Sequence, residues 1–296
     1  MIIVITGPTG VGKTKLSISL AKKYNAEIIN GDAIQVYRGL DIGSAKVTKS
    51  EMDGIVHHLF DIKDVWEAYS IYDYQKDCRN KIDDIISRGK NVIIVGGTGL
   101  YIKSALYDYT LSDNVMGDND YEGVSTEDLY NKLRSLDKDI DIDKNNRRRI
   151  IRALDYYLIN NSSITENKNG NKLLYDNCIF IGLTTDREIL YDRINKRVDV
   201  MIDNGLINEV KYFYDKDMRY KPLLGGIGYK ELYSYYDGEV TFKDAIELIK
   251  RNSRRYAKRQ YTFFNNQFDI KWFDVNFANF DDTINDVCKH IEKEQI

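Results

Sequence analysis

Gly7-Pro8-Thr9-Gly10-Val11-Gly12-Lys13-Thr14 carries the spacing G-x-x-x-x-G-K-[ST]. Glycines at these intervals let successive backbone N–H groups converge on one point, where they can meet phosphate oxygens. A helix opening at that point adds the positive end of its dipole. Lys13 supplies a point charge, and the Thr14 hydroxyl can hold a magnesium ion. The alternative is a turn-forming loop that binds nothing. The motif does not identify the compound that carries the phosphates, because kinases, hydrolases and diphosphate transferases share it. Proteins of this kind that hydrolyse nucleotides commonly place a magnesium-holding Asp at the end of a second buried strand. Here residues 92–95 run into Gly96-Gly97-Thr98-Gly99 without a carboxylate, which weakens an ATPase reading.

Four further groups could do chemistry. Asp32 ends a second apolar segment, at the sheet edge where doubly wound folds bind ligands. A carboxylate cannot usefully neutralise a diphosphate, so Asp32 would act on another substrate as hydrogen-bond acceptor or general base. A turn or capping Asp fits the position equally well. Arg193 and Arg197 are four residues apart and share one helix face, suited to a diphosphate leaving group, although Asp192 and Asp199 could pair with them instead. Arg251, Arg254, Arg255, Lys258 and Arg259 fall at i, i+3, i+4, i+7 and i+8, a positive stripe able to bind a nucleic-acid backbone or to lie solvated among acidic neighbours. A second cluster, Arg147-Arg148-Arg149 with Arg152, adds a separate basic surface and points to an extended polyanion.

These residues need a scaffold. Apolar runs at 2–6, 26–29, 91–95 and 178–183 have the length and continuity of buried strands. Helical patterns follow at 15–23, 72–87 and 186–204, the last stopped by Gly205. Strands alternating with helices imply an α/β protein with a parallel, doubly wound sheet. Residues 111–177 break the rhythm with short helical patterns rich in Asp, Asn and Ser, so they form a helical insert in a core of 1–110 and 178–296. Within the insert, 160–171 has the composition of an exposed loop.

The 296 residues, 43% hydrophobic and 30% charged, have the balance of a soluble globular protein. No apolar run is long enough to span a bilayer and no basic leader opens the chain, so a cytoplasmic protein without a membrane partner is expected. Net charge is −3, which argues mildly against a nucleic-acid partner and is opposed by the local basic clusters. Cys78, Cys178 and Cys288 are odd in number and widely spaced, so they read as reduced buried thiols. The neighbours His57 and His58 would point to opposite faces of a strand, which argues against a shared metal.

The chain resembles the tRNA dimethylallyltransferases, also called tRNA isopentenyltransferases, of bacterial type. The resemblance rests on the 7–14 loop; on Gly31-Asp32-Ala33-Ile34-Gln35-Val36-Tyr37 with Leu40-Asp41-Ile42-Gly43-Ser44-Ala45-Lys46; and on His57-His58-Leu59. It continues through Gly96-Gly97-Thr98-Gly99-Leu100-Tyr101, Arg148-Arg149-Ile150-Ile151-Arg152-Ala153-Leu154, Asp192-Arg193-Ile194-Asn195-Lys196-Arg197, Gly228-Tyr229-Lys230-Glu231 and Ala257-Lys258-Arg259-Gln260. It implies a P-loop kinase-like parallel sheet with helices on both faces, and an inserted helical domain gripping the tRNA anticodon arm. It further implies that Gly7, Pro8, Thr9, Gly10, Val11, Gly12, Lys13 and Thr14 hold dimethylallyl diphosphate with Mg2+ and that no ATP is consumed.

Carried over by the same resemblance, Asp32 would be the general base on the adenine amine. Arg197, assisted by Arg193, would bind the diphosphate, with Lys13 and Thr98 completing the catalytic set. Asp32, Ala33, Ile34, Gln35 and Thr98 would meet the target nucleotide. Arg148, Arg149, Ile150, Ile151 and Arg152, with Arg251, Arg254, Arg255, Lys258 and Arg259, would contact the rest of the tRNA. A monomer is expected. The chain departs from the pattern at Asn265, where many members carry Arg, and in a shorter stretch between Tyr101 and Arg148.

Overall fold

The computed structural model describes residues 1–109, 119–165 and 172–295. In chain order its elements are β1 (Ile2–Thr6), α1 (Lys13–Lys23), β2 (Ala26–Asn30), β3 (His57–His58), α2 (Ile71–Ser87), β4 (Asn91–Val95), α3 (Gly99–Leu106), α4 (Thr126–Leu136), α5 (Arg147–Asn160), β5 (Cys178–Thr184), α6 (Arg187–Asp203), α7 (Leu206–Tyr214), α8 (Lys221–Gly225), α9 (Tyr229–Tyr236), α10 (Phe242–Gln267), β6 (Lys271–Asp274) and α11 (Phe280–Glu294). The described residues divide into two units, Met1–Ala105 with Tyr175–Ile296, and Leu106–Leu174. The second unit thus begins and ends a few residues earlier than the 111 and 177 read from composition.

Continuous apolar runs are stable as strands only when both faces are covered, and this sheet meets that condition. Its order is β3-β2-β4-β1-β5-β6 and every pairing is parallel. Ile3 and Ile5 of β1, Ile93 of β4 and Ile181 of β5 share one core cluster with Leu16 and Leu20 of α1 and Val287 and Ile291 of α11. The alternate residues Ile2, Val4, Val92 and Ile94 point to the opposite face and are equally buried. Tyr74 of α2 is fully enclosed there, and its hydroxyl donates to the Asn30 carbonyl at 2.9 Å. Burying one such aliphatic side chain contributes about 1.5–3 kcal/mol.

A second cluster joins Val36 and Leu40, in the segment after β2, to Leu206, Val210 and Phe213 of α7, Leu223 of α8, Tyr229 and Leu232 of α9, and Ala245 and Ile249 of α10. This packing anchors the long segment between β2 and β3. The edge of the sheet is fastened by Glu27, whose carboxylate accepts from both Arg88 guanidinium nitrogens (2.6 and 2.8 Å), from Lys90 (2.8 Å) and contacts His58 Nε2 (2.7 Å). Arg88 foremost holds that carboxyl far below the usual range. His57 contacts the Ile55 carbonyl, so the two histidines have separate structural partners. The three cysteines are free thiols.

The second unit packs α4 on α5 through Leu129, Leu133, Ile150, Ala153 and Leu154. Ser125 and Asn146 cap the two helices by accepting from Asp128 and Arg149 amides. Ile150 is wholly enclosed in this core, so its side chain offers no surface to RNA, and the expectation that it contacts tRNA is corrected to a packing role. Arg148, Arg149 and Arg152 are exposed. Arg147 instead donates to the Val124 and Tyr121 carbonyls and ties α5 to the preceding turn. Of the loop expected at 160–171, residues 166–171 lie outside the described residues.

Candidate active site

The outgoing connections of the neighbouring strands β1 and β4 run to opposite sides of the sheet, so a crevice opens beyond their C-terminal ends. Three turns meet there, 7–12 after β1, 31–35 after β2 and 96–98 after β4, and the middle and end of α6, from Arg193 onward, close the crevice. The result is a cavity of about 1350 Å³ within the first unit, lined among others by Thr9, Lys13, Asp32, Gln35, Thr98 and Arg197. That exceeds the usual range for a small-molecule pocket and leaves room for two reactants.

The phosphate loop is built as its sequence requires. Gly12 has φ 104°, and a Cβ there would meet the Phe280 ring at 2.6 Å, so only glycine lets the chain enter α1 at Lys13. The helix has no side-chain cap and no acidic residue in its first turn, leaving its N-terminal amides for an anion. Lys13 Nζ donates to the Gly7 and Pro8 carbonyls at 2.9 and 2.8 Å, across the mouth of its own loop. Thr14 is exposed on the cavity wall.

Lys13, Asp32 and Arg197 form an electrostatically coupled trio. Burial, then the charge of Arg197, lowers the Lys13 ammonium to about 7, against the pull of Asp32. Burial likewise lowers Arg197, which feels Asp32 and Glu51 as attractive and Arg193 as repulsive charges. Burial raises the Asp32 carboxyl despite the Ile34 amide and the two cations. A diphosphate would restore full protonation of Lys13. Since the lowered value lies near neutrality, the affinity of the magnesium-free protein for inorganic diphosphate should be full below about pH 7 and weaken above it, by at most tenfold per pH unit for one proton. Calorimetry across that range, with Lys13→Met as the control for the titration of diphosphate itself, measures this; equal pH slopes for parent and variant would refute it.

Asp32 is at once a turn residue and an available carboxylate. Its Oδ1 accepts from the Ile34 amide at 2.9 Å, while its amide donates to Asn30 Oδ1 at 2.9 Å. Oδ2 lies 3.9 Å from where a Cβ on Gly97 would stand. Thr98 accepts the Ala33 amide at 3.1 Å and donates its own amide to the Gly31 carbonyl at 3.0 Å, so it sets the shape of the Asp32 turn. Gln35 Nε2 donates to the Ser44 carbonyl at 2.9 Å.

The acidic neighbours on α6 do not quench its arginines: Asp192 pairs with Lys196 and Asp199 with Lys250. Arg193, also on the cavity wall, donates Nε to the Gly10 carbonyl at 3.1 Å and stacks on Phe277 at 3.8 Å, bracing the loop. The stripe on α10 is less uniform than its spacing implies. Arg251, Arg255 and Lys258 are exposed, Arg254 turns to Asn195 Oδ1, and Arg259 reaches the cavity beside Tyr256.

Gln260, to which the sequence reading attached no role, completes the wall. It is 4% exposed; Nε2 donates to the Gly97 carbonyl at 3.1 Å and Oε1 has no partner. The signal was present in the sequence: Gln260 occupies the same buried face of α10 as Ala257 and Phe264, where an amide needs a reason.

A parallel sheet with a phosphate cradle on one side of its crevice and a half-buried carboxylate on the other defines a P-loop α/β enzyme that brings a phosphorylated donor to a second substrate. Comparison with known proteins makes this specific. The sequence model of the family described as IPP transferase matches residues 35–267. The chain is 50% identical over 298 residues to the tRNA dimethylallyltransferase of Anoxybacillus flavithermus, covering 98% of this chain and 96% of the relative, and 50% identical over 288 residues to that of Bacillus subtilis, covering 93% and 90%. The crystal structure of the tRNA delta(2)-isopentenylpyrophosphate transferase of Staphylococcus epidermidis superimposes with TM-score 0.75 at 41% identity, over 99% of this chain and 98% of that one. A eukaryotic dimethylallyltransferase acting on tRNA gives 0.85 at 31% identity, over 97% and 77%. The chain belongs to the IPP transferase family, the tRNA dimethylallyltransferases.

Proposed function

We propose that the cradle holds dimethylallyl diphosphate, and that the cavity presents it to the exocyclic amine of the adenine beside the third anticodon base. The reaction is a prenyl transfer to tRNA: the amine nitrogen forms a bond to the allylic carbon, the carbon–oxygen bond breaks, and diphosphate departs. Asp32 Oδ2 takes the proton released by the amine. Lys13, Arg197 and the amides opening α1 receive the charge that develops on the leaving group. Thr98 and Ile34 hold the Asp32 turn, and Gln260 Oε1 offers an acceptor to a donor on the base. Extruding a loop nucleotide into such a cavity costs a few kcal/mol of unstacking.

Magnesium fits this donor set. The described residues hold no group of three His, Cys, Asp or Glu able to cage an ion, and the exposed Thr14 hydroxyl stands in the cradle. Mg2+ commonly keeps several waters and binds through substrate phosphates and one or two protein oxygens. When bound it would neutralise diphosphate charge. The enzyme is proposed to act as a monomer in the cytoplasm; among the described residues no helix is long and apolar enough to cross a membrane.

The observation that carries this reading is the placement of two half-buried cations, Lys13 and Arg197, in one cavity with the single carboxylate of Asp32. Both are destabilised in the charged form by burial, which a polyanion would offset. Incubation with dimethylallyl diphosphate, Mg2+ and either unmodified tRNA or free AMP, followed by mass spectrometry, should show the five-carbon unit on tRNA. Phosphoryl transfer from ATP with the base left bare would refute the reading, and modification of AMP in preference to tRNA would assign a free-nucleotide acceptor. The exposed Arg148, Arg149 and Arg152 favour tRNA. Replacing all three with Ala should weaken tRNA binding about equally across tRNA sequences and reduce the salt slope by up to about three, one per lost phosphate contact. Filter binding over a salt series measures this.

A further inference from the structure

We infer that Glu209 is a positioning residue that shapes the acceptor-facing wall of the cavity by folding residues 41–43 around its carboxylate. The inference rests on the prenyl-transfer reading of the same cavity. Glu209 stands on α7, outside the phosphate loop, the Asp32 turn and the arginine pair. Its Oε2 accepts the amides of Asp41 and Ile42 at 3.1 and 2.7 Å, and its Oε1 accepts the amide of Gly43 at 3.1 Å and the Tyr229 hydroxyl at 2.5 Å. Three successive amides converging on one anion form a concave nest, here filled from within the protein.

The rest of the segment depends on that nest. Its next residues, Ser44 and Ala45, present the carbonyls that receive Gln35 Nε2, at 2.9 and 3.5 Å. Gln35 follows Asp32 in the turn assigned to the acceptor, and both it and residues 41–46 line the cavity. The fit is close where Tyr229 meets Gly43. Tyr229 is fully buried, and a Cβ at Gly43 would meet its ring at 2.6 Å. Beyond the nest, Lys46 Nζ binds the Tyr37 carbonyl, Asp41 and Asp61 at 2.7, 2.6 and 2.6 Å, fixing the far end of the loop. With both points tied, the loop delivers Gln35 to the cavity in one orientation.

A carboxylate is required because all four contacts are donors. In Glu209→Gln the carbonyl oxygen can keep one side of the nest, but the amide would face N–H groups with its own hydrogens. Hydrogen–deuterium exchange of the segment 40–46 is expected to become about tenfold faster, and the KM for tRNA to rise about tenfold, one decade of affinity. The KM for dimethylallyl diphosphate should stay at the parent value, because among the described residues the cradle's side-chain bonds, Lys13 to Gly7 and Pro8 and Arg193 to Gly10, do not run through this segment. A purely stabilising role predicts a uniform loss of active enzyme with both KM values unchanged, and that result would overturn the inference, as would parent-like exchange in the segment. Should Glu209→Gln fail to fold, Tyr229→Phe removes one of the four bonds while keeping the ring. It should shift exchange and the tRNA KM in the same direction by a smaller factor, and no shift in either counts against Glu209. The parent enzyme is assayed alongside: an inactive parent defeats the functional reading, whereas an active variant with the parent KM defeats only this inference.

Discussion

Asp32→Asn should reduce prenyl transfer by about 10²–10⁴-fold, the range associated with a positioned general base, while tRNA binding changes little. The substitution isolates chemistry from architecture. Asn retains an Oδ1 for the Ile34 amide, so the 31–35 turn survives, and it converts Oδ2 from an acceptor into a donor that cannot take a proton. Stability should not fall. Burial raises the Asp32 carboxyl above its ordinary value, so the folded protein favours the protonated form, and stability is lost as pH climbs from the ordinary carboxylate range to the raised value, with the full cost present above it. A neutral Asn removes that cost. For the same reason the acid limb of the parent kcat/KM profile should lie above the range of an ordinary carboxylate, with activity rising as pH climbs through it. Single-turnover kinetics and thermal unfolding at neutral pH test both halves. A variant that transfers at near-parent rate would remove Asp32 from the role, and one that is markedly less stable would show that its loss is structural.

The parts legible in the sequence are those fixed by local pattern. Four strands announce themselves because each is buried on both faces, and the phosphate loop because its spacing is a geometric requirement. The edge strand β6 has no such signature: Lys271 and Asp274 are exposed and its alternation spans only four residues. The two-residue β3 is held by Glu27 and its pairing to β2 rather than by propensity. The α6 arginines share a face by spacing, yet their division of labour depends on Phe277 and Gly10, distant in sequence from both. Glu209 and Gln260 are hidden for the same reason. Nothing local distinguishes a glutamate on an amphipathic helix from a solvated one until three amides from residues 41–43 are brought to it. In the insert, Ile150 shares a run with exposed arginines, and only the packing of α4 on α5 shows that it belongs to the core.

Arg197→Ala should lower kcat by about 10²–10³-fold, the cost of removing a donor aimed at developing charge in a partly buried site. The KM for the donor should rise less than kcat falls, because the diphosphate gains charge on its bridging oxygen only as the carbon–oxygen bond breaks. Arg197→Lys should recover little, since an ammonium lacks the planar fork that grips two oxygens at once. A second consequence separates this role from simple substrate attraction. The charge of Arg197 helps hold Lys13 down near 7, so its removal should let the Lys13 ammonium rise. In the variant, the pH at which diphosphate affinity begins to weaken should therefore move upward, even though affinity itself is lower at every pH. Arg193→Ala should show neither behaviour in full, because that side chain is engaged with the Gly10 carbonyl and Phe277 and acts on the cradle through the loop. If the affinity profile of Arg197→Ala kept the parent midpoint while kcat fell, the two cations would be acting independently. The coupling assigned to them would then have to be withdrawn.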